Sequence, residues 1–466
     1  MNTFPMLRRI KTIHFIGIGG VGMSGIAEVL QNQGFKITGS DQQENNACRR
    51  LIACGANIFY QHAAKNIVGA DAIVVSSAIT DDNPELVAAI ARHIPVLPRA
   101  QMLAELMRFH YGIAIAGTHG KTTTTSLVAS VFAESGFDPT YVIGGVLNSA
   151  GANAHLGKSQ YFIVEADESD ASFLYFNPMI SVVTNIDADH MQTYEDDFNK
   201  LRQAFIDFLH RLPFYGLAVV CIDNPVVKEI LPQISRPVLT YGFSSGADLQ
   251  CVDFVQQGFV SKFKVCRRGV SDPLEITLNL PGEHNALNAL ATIAVATECK
   301  VSDALISNAL AQFRGVGRRM QQYGEIKFPQ GKVLVIDDYG HHPREITATI
   351  KAIRSALPNR RLVLAFQPHR YSRTKSLFED FVTVLSEVDV LLLMEIYPAC
   401  EKPISGVDSR TLARSIRQRG KVDPIFVENT DALIAALPSI LKDNDVLLVQ
   451  GAGNIGTVAP KLKQNN

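Results

Sequence analysis

Short apolar runs rich in β-branched residues recur along the chain, and each breaks off into polar or charged ones. They are TIHFIGIGG (12–20), GIAIAGTHGK (112–121), YFIVEADES (161–169), ISVVTNIDADH (180–190), LAVVCIDN (217–224), VLVIDDYGHH (333–342), LVLAFQPHR (362–370) and VLLVQGAGN (446–454). Unbroken apolar runs of this length suit strands buried on both faces, as in parallel sheets covered by helices. Between them lie helix-like stretches such as LVAAIARH (86–93), SLVASVFAESG (126–136) and ALNALATIAVATEC (286–299). The alternation is βαβ and the predicted fold class α/β. In such sheets ligands bind beyond the carboxyl ends of the strands, where these polar tails stand.

The first unit ends near the helix-like RAQMLAELMRF (99–109), after which GIAIAG opens a second, and a third begins after the Gly-rich, doubly basic FRGVGRRMQ (313–321). We therefore expect domains at 1–108, 109–317 and 318–466, within the two to four or so that such a length predicts.

Composition narrows the function. Lys plus Arg number 44 and Asp plus Glu 45, so the net charge is −1 and no basic surplus exists to neutralise a nucleic-acid backbone. The seven cysteines form no C-x-x-C pair, which suits neither a disulfide framework nor a zinc site and predicts a reducing, cytoplasmic setting. Arg8, Arg9 and Lys11 precede an uncharged run, as in a secretory signal, but glycines crowd that run. No segment approaches the roughly 20 apolar residues needed to span a bilayer, so no membrane partner is expected.

Two glycine loops carry the chemistry. Gly17, Gly19 and Gly22 spell G-x-G-x-x-G after a strand and before a helix, with Gly20 inside the loop and Asp41 after the next strand. Glycines let the backbone approach a diphosphate, and the following helix offers free N–H groups and the positive end of its dipole. An NAD-linked dehydrogenase, a UDP-sugar site and a tight turn that binds nothing all fit this loop alone. The second loop, AGTHGKTTTT (116–125), lies between a buried strand and a helix. Lys121 is placed to reach β and γ phosphates and the Thr122 hydroxyl to hold magnesium. Ile115 stands where the usual P-loop has its first glycine.

Triphosphate chemistry also requires oxygen ligands for a metal. Glu165, Asp167, Glu168 and Asp170 follow one strand, and Asn185, Asp187, Asp189 and His190 the next; magnesium keeps only one or two protein carboxylates, so most of these are turn residues. A diphosphate site beside a triphosphate site is awkward for a dehydrogenase and suits an ATP-driven transfer to a nucleotide-linked substrate.

At HFIGIGGVGMSGIAEVL (14–30), GTHGKTTTT (117–125), EADESDASF (165–173), TNIDADHM (184–191), PGEHNALNALA (281–291), GVGRRMQ (315–321), DDYGHHP (337–343) and QPHRYSRT (367–374) the chain resembles the Mur ligases of peptidoglycan precursor assembly. The likeness covers nearly the whole length and is greatest to members that join L-alanine to UDP-N-acetylmuramate. It implies a Rossmann-like N-terminal domain for the UDP-sugar, held by Gly17, Gly19, Gly20, Gly22 and Asp41, then a central P-loop ATPase domain and a Rossmann-like C-terminal domain. ATP falls to Gly117, Thr118, His119, Gly120, Lys121, Thr122 and Thr123, with His284 and Asn288 facing adenine and Asp338 at the ribose; Tyr339 is counted with the nucleotide contacts and also matches a position around the reacting carboxylate and amino acid. Mg2+ falls to Thr122, Glu165 and His190, with Glu168 ranked second. Lys121, Arg319, His341, His369, Arg370 and Arg373 are the implied catalytic set, the last five around the reacting carboxylate and amino acid. A sister ligase that adds a peptide to the same nucleotide sugar is the alternative, with an NAD oxidoreductase behind it. The chain is expected to act as a monomer or homodimer. Where several Mur ligases carry a carbamylated lysine, Phe205 stands instead.

Overall fold

All eight apolar runs become strands, gathered into three sheets. The structure is a computed structural model and describes residues 9–76 and 78–464; Arg8, part of the signal-like start, lies outside them.

The first sheet contains β1 (Thr12–Ile16), β2 (Lys36–Ser40), β3 (Asn57–Phe59), β4 (Ala72–Val75) and β5 (Val96–Pro98), ordered β3-β2-β1-β4-β5. Every pairing in it is parallel. This is a doubly wound order, so the carboxyl ends of β1 and β4 flank the crevice where the strand order reverses.

The second sheet has ten strands: β6 (Tyr111–Ala116), β7 (Thr140–Leu147), β8 (Ala152–His155), β9 (Tyr161–Glu165), β10 (Ile180–Val183), β11 (Leu217–Cys221), β12 (Val238–Gly242), β13 (Leu249–Gln257), β14 (Val260–Arg267) and β15 (Leu274–Leu278). β6 sits between β9 and β10, parallel to both. Its Ile113 to Ala116 have no exposed surface, which is what an alternation-free apolar run requires.

The third sheet contains β16 (Gln321–Phe328), β17 (Gly331–Asp338), β18 (Leu362–Phe366), β19 (Val390–Met394), β20 (Ile425–Val427) and β21 (Val446–Gln450), ordered β16-β17-β21-β18-β19-β20. Only the β16–β17 hairpin is antiparallel.

The fold is thus α/β with three sheets in the order expected. Compactness divides the chain differently, into two units. Unit 1 holds the first two sheets for the most part, and unit 2 holds the third together with Val252–Lys264 and Glu275–Ala286, segments the sequence assigned to the middle domain. Within unit 2 the reason is local. Gln256 Nε2 donates to the Ala352 carbonyl at 2.8 Å, and Phe259 packs on the core of the third sheet.

The helix Lys121–Glu134 has four threonines directly after its first residue, poor helix formers, yet Thr122 to Thr125 are buried in it. Thr125 and Ser126 return their hydroxyls to the carbonyls of Lys121 and Thr122 at 2.8 and 2.7 Å, a backward bond that satisfies a buried hydroxyl inside a helix. Phe205 is likewise buried, edge-on to Phe173. Among the described residues no helix is long and apolar enough to cross a membrane.

Candidate active site

The first glycine loop turns at Gly17, whose φ is +82°. The N–H groups of Gly17 and Ile18 both donate to the Ser40 carbonyl, at 2.8 and 3.0 Å. Gly20, extended, precedes the helix Val21–Asn32. A Cβ on Gly19 would stand 2.6 Å from Asn45 Nδ2, and one on Gly22 would stand 3.0 Å from Arg99 Nη1. Asp41 accepts from the Gly19 N–H at 2.8 Å and from that of Gln43 at 3.2 Å, so the fingerprint acid is turned onto its own loop.

Beneath this loop lies a buried polar cluster that the sequence did not disclose. Glu85, without exposed surface, accepts from Ser40 Oγ at 2.5 Å and Asn66 Nδ2 at 2.6 Å, and His14 Nε2 lies 3.6 Å away. Burial pushes the Glu85 carboxyl up, but His14, Ser40 and Asn66 together outweigh it and bring it down to about 2. Beside the loop, a cavity of about 260 Å³ is lined by Ser76, Asp81 and Arg99 of the first sheet's region and by Asp170, Ser172 and Tyr175 of the second's.

The second glycine loop joins β6 to its helix and is laced to the end of β10. His119 N–H donates to Asn185 Oδ1 at 2.8 Å, Asn185 Nδ2 returns a bond to the His119 carbonyl at 3.0 Å, and Asp187 N–H donates to Thr118 Oγ1 at 2.9 Å. The His119 ring lies 3.2 Å from Asp187 Oδ2. Gly117 has φ +130°, and a Cβ there would fall 2.1 Å from Thr184 Oγ1. At Gly120 it would fall 2.5 Å from Asn288 Oδ1. Asn288 also accepts from Thr124 Oγ1 at 3.2 Å, so this residue, expected to face adenine, braces the loop.

Lys121 and Thr122 point to different carboxylates. Lys121 Nζ donates to both oxygens of Glu168, at 2.9 and 2.7 Å, and to the Gly117 and Thr118 carbonyls at 2.7 and 3.2 Å. Burial works against its charge, yet Glu168, Asp167 and Glu165 prevail and raise its pKa. Burial also pushes the Glu168 carboxyl up, with Lys121 pulling the other way. Thr122 Oγ1 instead donates to Glu165 Oε1 at 3.0 Å, and Glu165 Oε2 accepts from the Gly144 N–H at 2.7 Å. Thr122 and Glu165 are a hard-oxygen pair of the kind magnesium takes alongside nucleotide oxygens and water. His190, with φ +54°, holds its Nε2 3.5 Å from Asp189 Oδ2.

Unit 2 gathers the remaining candidates. Asp338, buried at the end of β17, accepts from the N–H groups of Met320 and Gly340 and from Gln450 Nε2, each at 2.9 Å. The Tyr339 ring carries the guanidiniums of Arg318 and Arg319 at 5.2 and 5.0 Å, with His341 edge-on at 5.6 Å. His341 and His369 face each other at 5.7 Å. His369 stacks on Tyr397 and has Arg373 Nη1 3.3 Å from its Nδ1. Arg370, in a strained backbone conformation (φ +72°, ψ +134°), reaches within 3.7 Å of Glu401. Glu345 Oε2 accepts from the His341 N–H at 2.9 Å, and its Oε1 lies 4.0 Å from Arg319. His284, in the same unit, lies against Gly282, and desolvation lowers its pKa. Arg319, Tyr339, His341, His369 and Arg373 therefore form one contiguous group. The sequence missed Tyr397, Glu345 and Glu401, of which only Glu345 had a local signal, a helix-capping H-x-x-E at His342.

Domain models of the Mur ligases match the chain three times: the catalytic domain over residues 12–111, the middle domain over 115–296 and the glutamate ligase domain over 318–453. Among solved structures the chain is similar to a UDP-N-acetylmuramate–alanine ligase from Thermotoga maritima, 29% identical, with 98% of this chain and 99% of that one covered and a TM-score of 0.83. A murein peptide ligase from Psychrobacter arcticus is 22% identical, with coverages of 97% and 98% and a TM-score of 0.72. The MurF ligase of Thermotoga maritima in complex with ADP is 15% identical, with coverages of 92% and 96% and a TM-score of 0.62. The last two are likenesses of fold.

Proposed function

The chain belongs to the Mur ligase family, and from that premise we propose that it uses ATP to join L-alanine to UDP-N-acetylmuramate through an acyl phosphate. The observation that carries this reading is the second glycine loop. Its lysine and its first threonine are held by separate buried or half-buried carboxylates, Lys121 by Glu168 and Thr122 by Glu165, which is the division of labour between a phosphate-binding cation and a metal-binding hydroxyl.

A carboxylate does not condense with an amine in water, because the electrophile is anionic and oxide is a poor leaving group. Phosphorylation of the muramoyl carboxylate removes both obstacles: its oxygen attacks the γ-phosphorus and ADP departs. The alanine amine then adds to the acyl carbonyl, and the tetrahedral intermediate expels phosphate, leaving the amide. Such phosphoryl transfer needs positioning and charge neutralisation rather than covalent help. Lys121 supplies one cation, and Thr122 and Glu165 would hold Mg2+, which when bound screens the triphosphate. Arg319, Arg370 and Arg373 fit the need to bring anions together, since guanidiniums grip carboxylate and phosphate bidentately. His341 or His369 would take the proton from the alanine ammonium. In the first domain the glycine loop at Gly17 to Gly22, with Asp41 holding its backbone, would take the UDP diphosphate, and the neighbouring cavity with Arg99 would take the sugar side. Asp338 and Tyr339, with His284, remain the proposed nucleoside contacts of the C-terminal part. The proposed setting is cytoplasmic.

Likeness to the alanine ligase over almost the whole of both chains supports L-alanine as the amine. A sister ligase that joins a peptide to the same nucleotide sugar is the second reading. Phosphate release measured with ATP, Mg2+ and UDP-N-acetylmuramate, with either L-alanine or a short free peptide as the amine, decides between them. Oxygen-18 on the muramoyl carboxylate is expected in the released phosphate; its absence would exclude the acyl phosphate.

A further inference from the structure

We infer that Glu168 is the resident counter-ion of the P-loop lysine, a positioning residue whose carboxylate a nucleotide has to displace before its phosphates take the Lys121 ammonium. The inference rests on the reading of Gly117 to Thr123 as a nucleotide loop.

An ammonium has three protons to give. Lys121 meets four acceptors inside the protein: the Gly117 and Thr118 carbonyls and both oxygens of Glu168. Its capacity is thus consumed by the loop that is to offer it to a phosphate. Of these partners only Glu168 is charged, and its side chain is almost wholly buried, 2% exposed. Removing one member of such a pair without replacement leaves a buried charge unpaired, which is strongly destabilising. Exchange of carboxylate for phosphate avoids that cost, because the ammonium is never without an anion.

The exchange needs only a side-chain movement. The Glu168 carbonyl accepts from Tyr194 Oη at 2.5 Å and from the Ala171 N–H at 3.1 Å, which fixes the backbone while the carboxylate swings. The neighbouring acids are committed elsewhere: Glu165 to Thr122 and Gly144, and Asp167 to the Ser169 N–H at 3.0 Å. Glu168 therefore competes with the incoming anion for the same cation, and nucleotide affinity reports the difference between the two pairings.

Calorimetric titration of the full chain with Mg–ADP tests this, on the unmodified protein and on E168Q, E168D and D167N. E168Q keeps the shape, removes the charge and should bind roughly tenfold more tightly, the equivalent of one charge-assisted hydrogen bond no longer surrendered. E168D, one methylene shorter, should tighten by less. D167N removes a charge that attracts Lys121 through space and should stay within about twofold. A merely structural role for Glu168 predicts equal or weaker binding by E168Q, and that result overturns the inference. Equal tightening by D167N overturns it as well, since the general field would then suffice. Should E168Q not fold, E168D decides by the same criterion, unchanged or weaker binding counting against. If the unmodified protein binds no Mg–ADP, the reading of the loop itself fails and this inference with it.

Discussion

Thr122 Oγ1 donates to Glu165 Oε1 at 3.0 Å, a bond between the first residue after the P-loop lysine and the last residue of the adjacent strand β9. Parallel pairing puts this within reach: Ile115 pairs with Glu165, so the end of β9 lies level with the start of the loop. The hydroxyl and the carboxylate are two of the three proposed protein ligands of Mg2+, His190 being the third. We expect T122A and E165Q each to lower kcat roughly 10²-fold, the usual loss when a group that stabilises transition-state charge is removed. E165Q should also raise the Mg2+ concentration needed for half-maximal rate. An unchanged Mg2+ dependence in E165Q would remove Glu165 from the metal site.

The glycine loop tolerates no side chain where it crosses β10. A Cβ on Gly117 would lie 2.1 Å from Thr184 Oγ1 and 3.0 Å from the Thr184 backbone nitrogen, at φ +130°. Such backbone strain costs about 1–3 kcal/mol, and the clash adds to it because backbone cannot rotate away. G117A should therefore lower the melting temperature and abolish measurable Mg–ADP binding. Gly246 has nothing within 4 Å of the same position and no left-handed φ, so G246A should change stability by less than about 0.5 kcal/mol and leave nucleotide binding intact. Differential scanning calorimetry with and without Mg–ADP separates the two; wild-type binding by G117A would refute the geometry.

The strands, their order of chemistry and both glycine loops were legible because each rests on a local pattern: an unbroken apolar run, then glycines at fixed spacing. What stayed hidden needed a third dimension. Nothing in EADES says that Glu165 takes Thr122 while Glu168 takes Lys121; the strand's end and the turn after it decide that. Tyr397 and Glu401 reach His369 and Arg370 from a distant loop, with no spacing to announce it. Glu85 went unremarked in the sequence; it stands in the first turn of the helix Pro84–Ala91 and is buried beneath the first loop. Asp338 and Asn288 were expected to meet ribose and adenine, and their carboxylate and amide oxygens also serve the protein, Asn288 accepting from Thr124 and Asp338 from Met320 and Gln450.

Glu85 makes the first domain acid-sensitive. Its carboxyl lies at about 2 in the folded protein against an ordinary 4.5. A depressed carboxylate contributes stability that is complete above its unfolded value and is lost as pH falls from there through the folded one. At about 1.4 kcal/mol per unit, the contribution is roughly 3 kcal/mol at neutral pH, fading between pH 4.5 and 2. E85Q should be less stable than the unmodified protein at pH 7, with the gap closing as pH falls through that window. Because Ser40 gives its hydroxyl to Glu85 and its carbonyl to Gly17 and Ile18, E85Q should also raise KM for the UDP-sugar more than KM for ATP. Denaturation midpoints that run parallel for the two proteins across pH 2 to 7 would contradict this account.

His341 and His369 face each other at 5.7 Å but are held differently. His341 sits 3.6 Å from the Glu345 carboxylate, whereas His369 is sandwiched against Tyr397 with the Arg373 guanidinium at its Nδ1. A base that accepts the ammonium proton becomes a cation, and a neighbouring carboxylate favours that form while a guanidinium opposes it. His341 is therefore the better base of the two, with Glu345 its support. H341Q should depress the amide-forming step by roughly 10² to 10⁴, the range of general-base catalysis, and flatten its acid limb. H369Q should act mainly on KM for the amino acid, through the position of Arg373. E345Q should shift the acid limb of the pH profile to lower pH, because the carboxylate that favours the His341 cation is gone. A rapid-quench pH profile of acyl-phosphate consumption checks this: a limb that moves to lower pH in E345Q and vanishes in H341Q identifies the base, and a limb that stays in place in both removes His341 from that role.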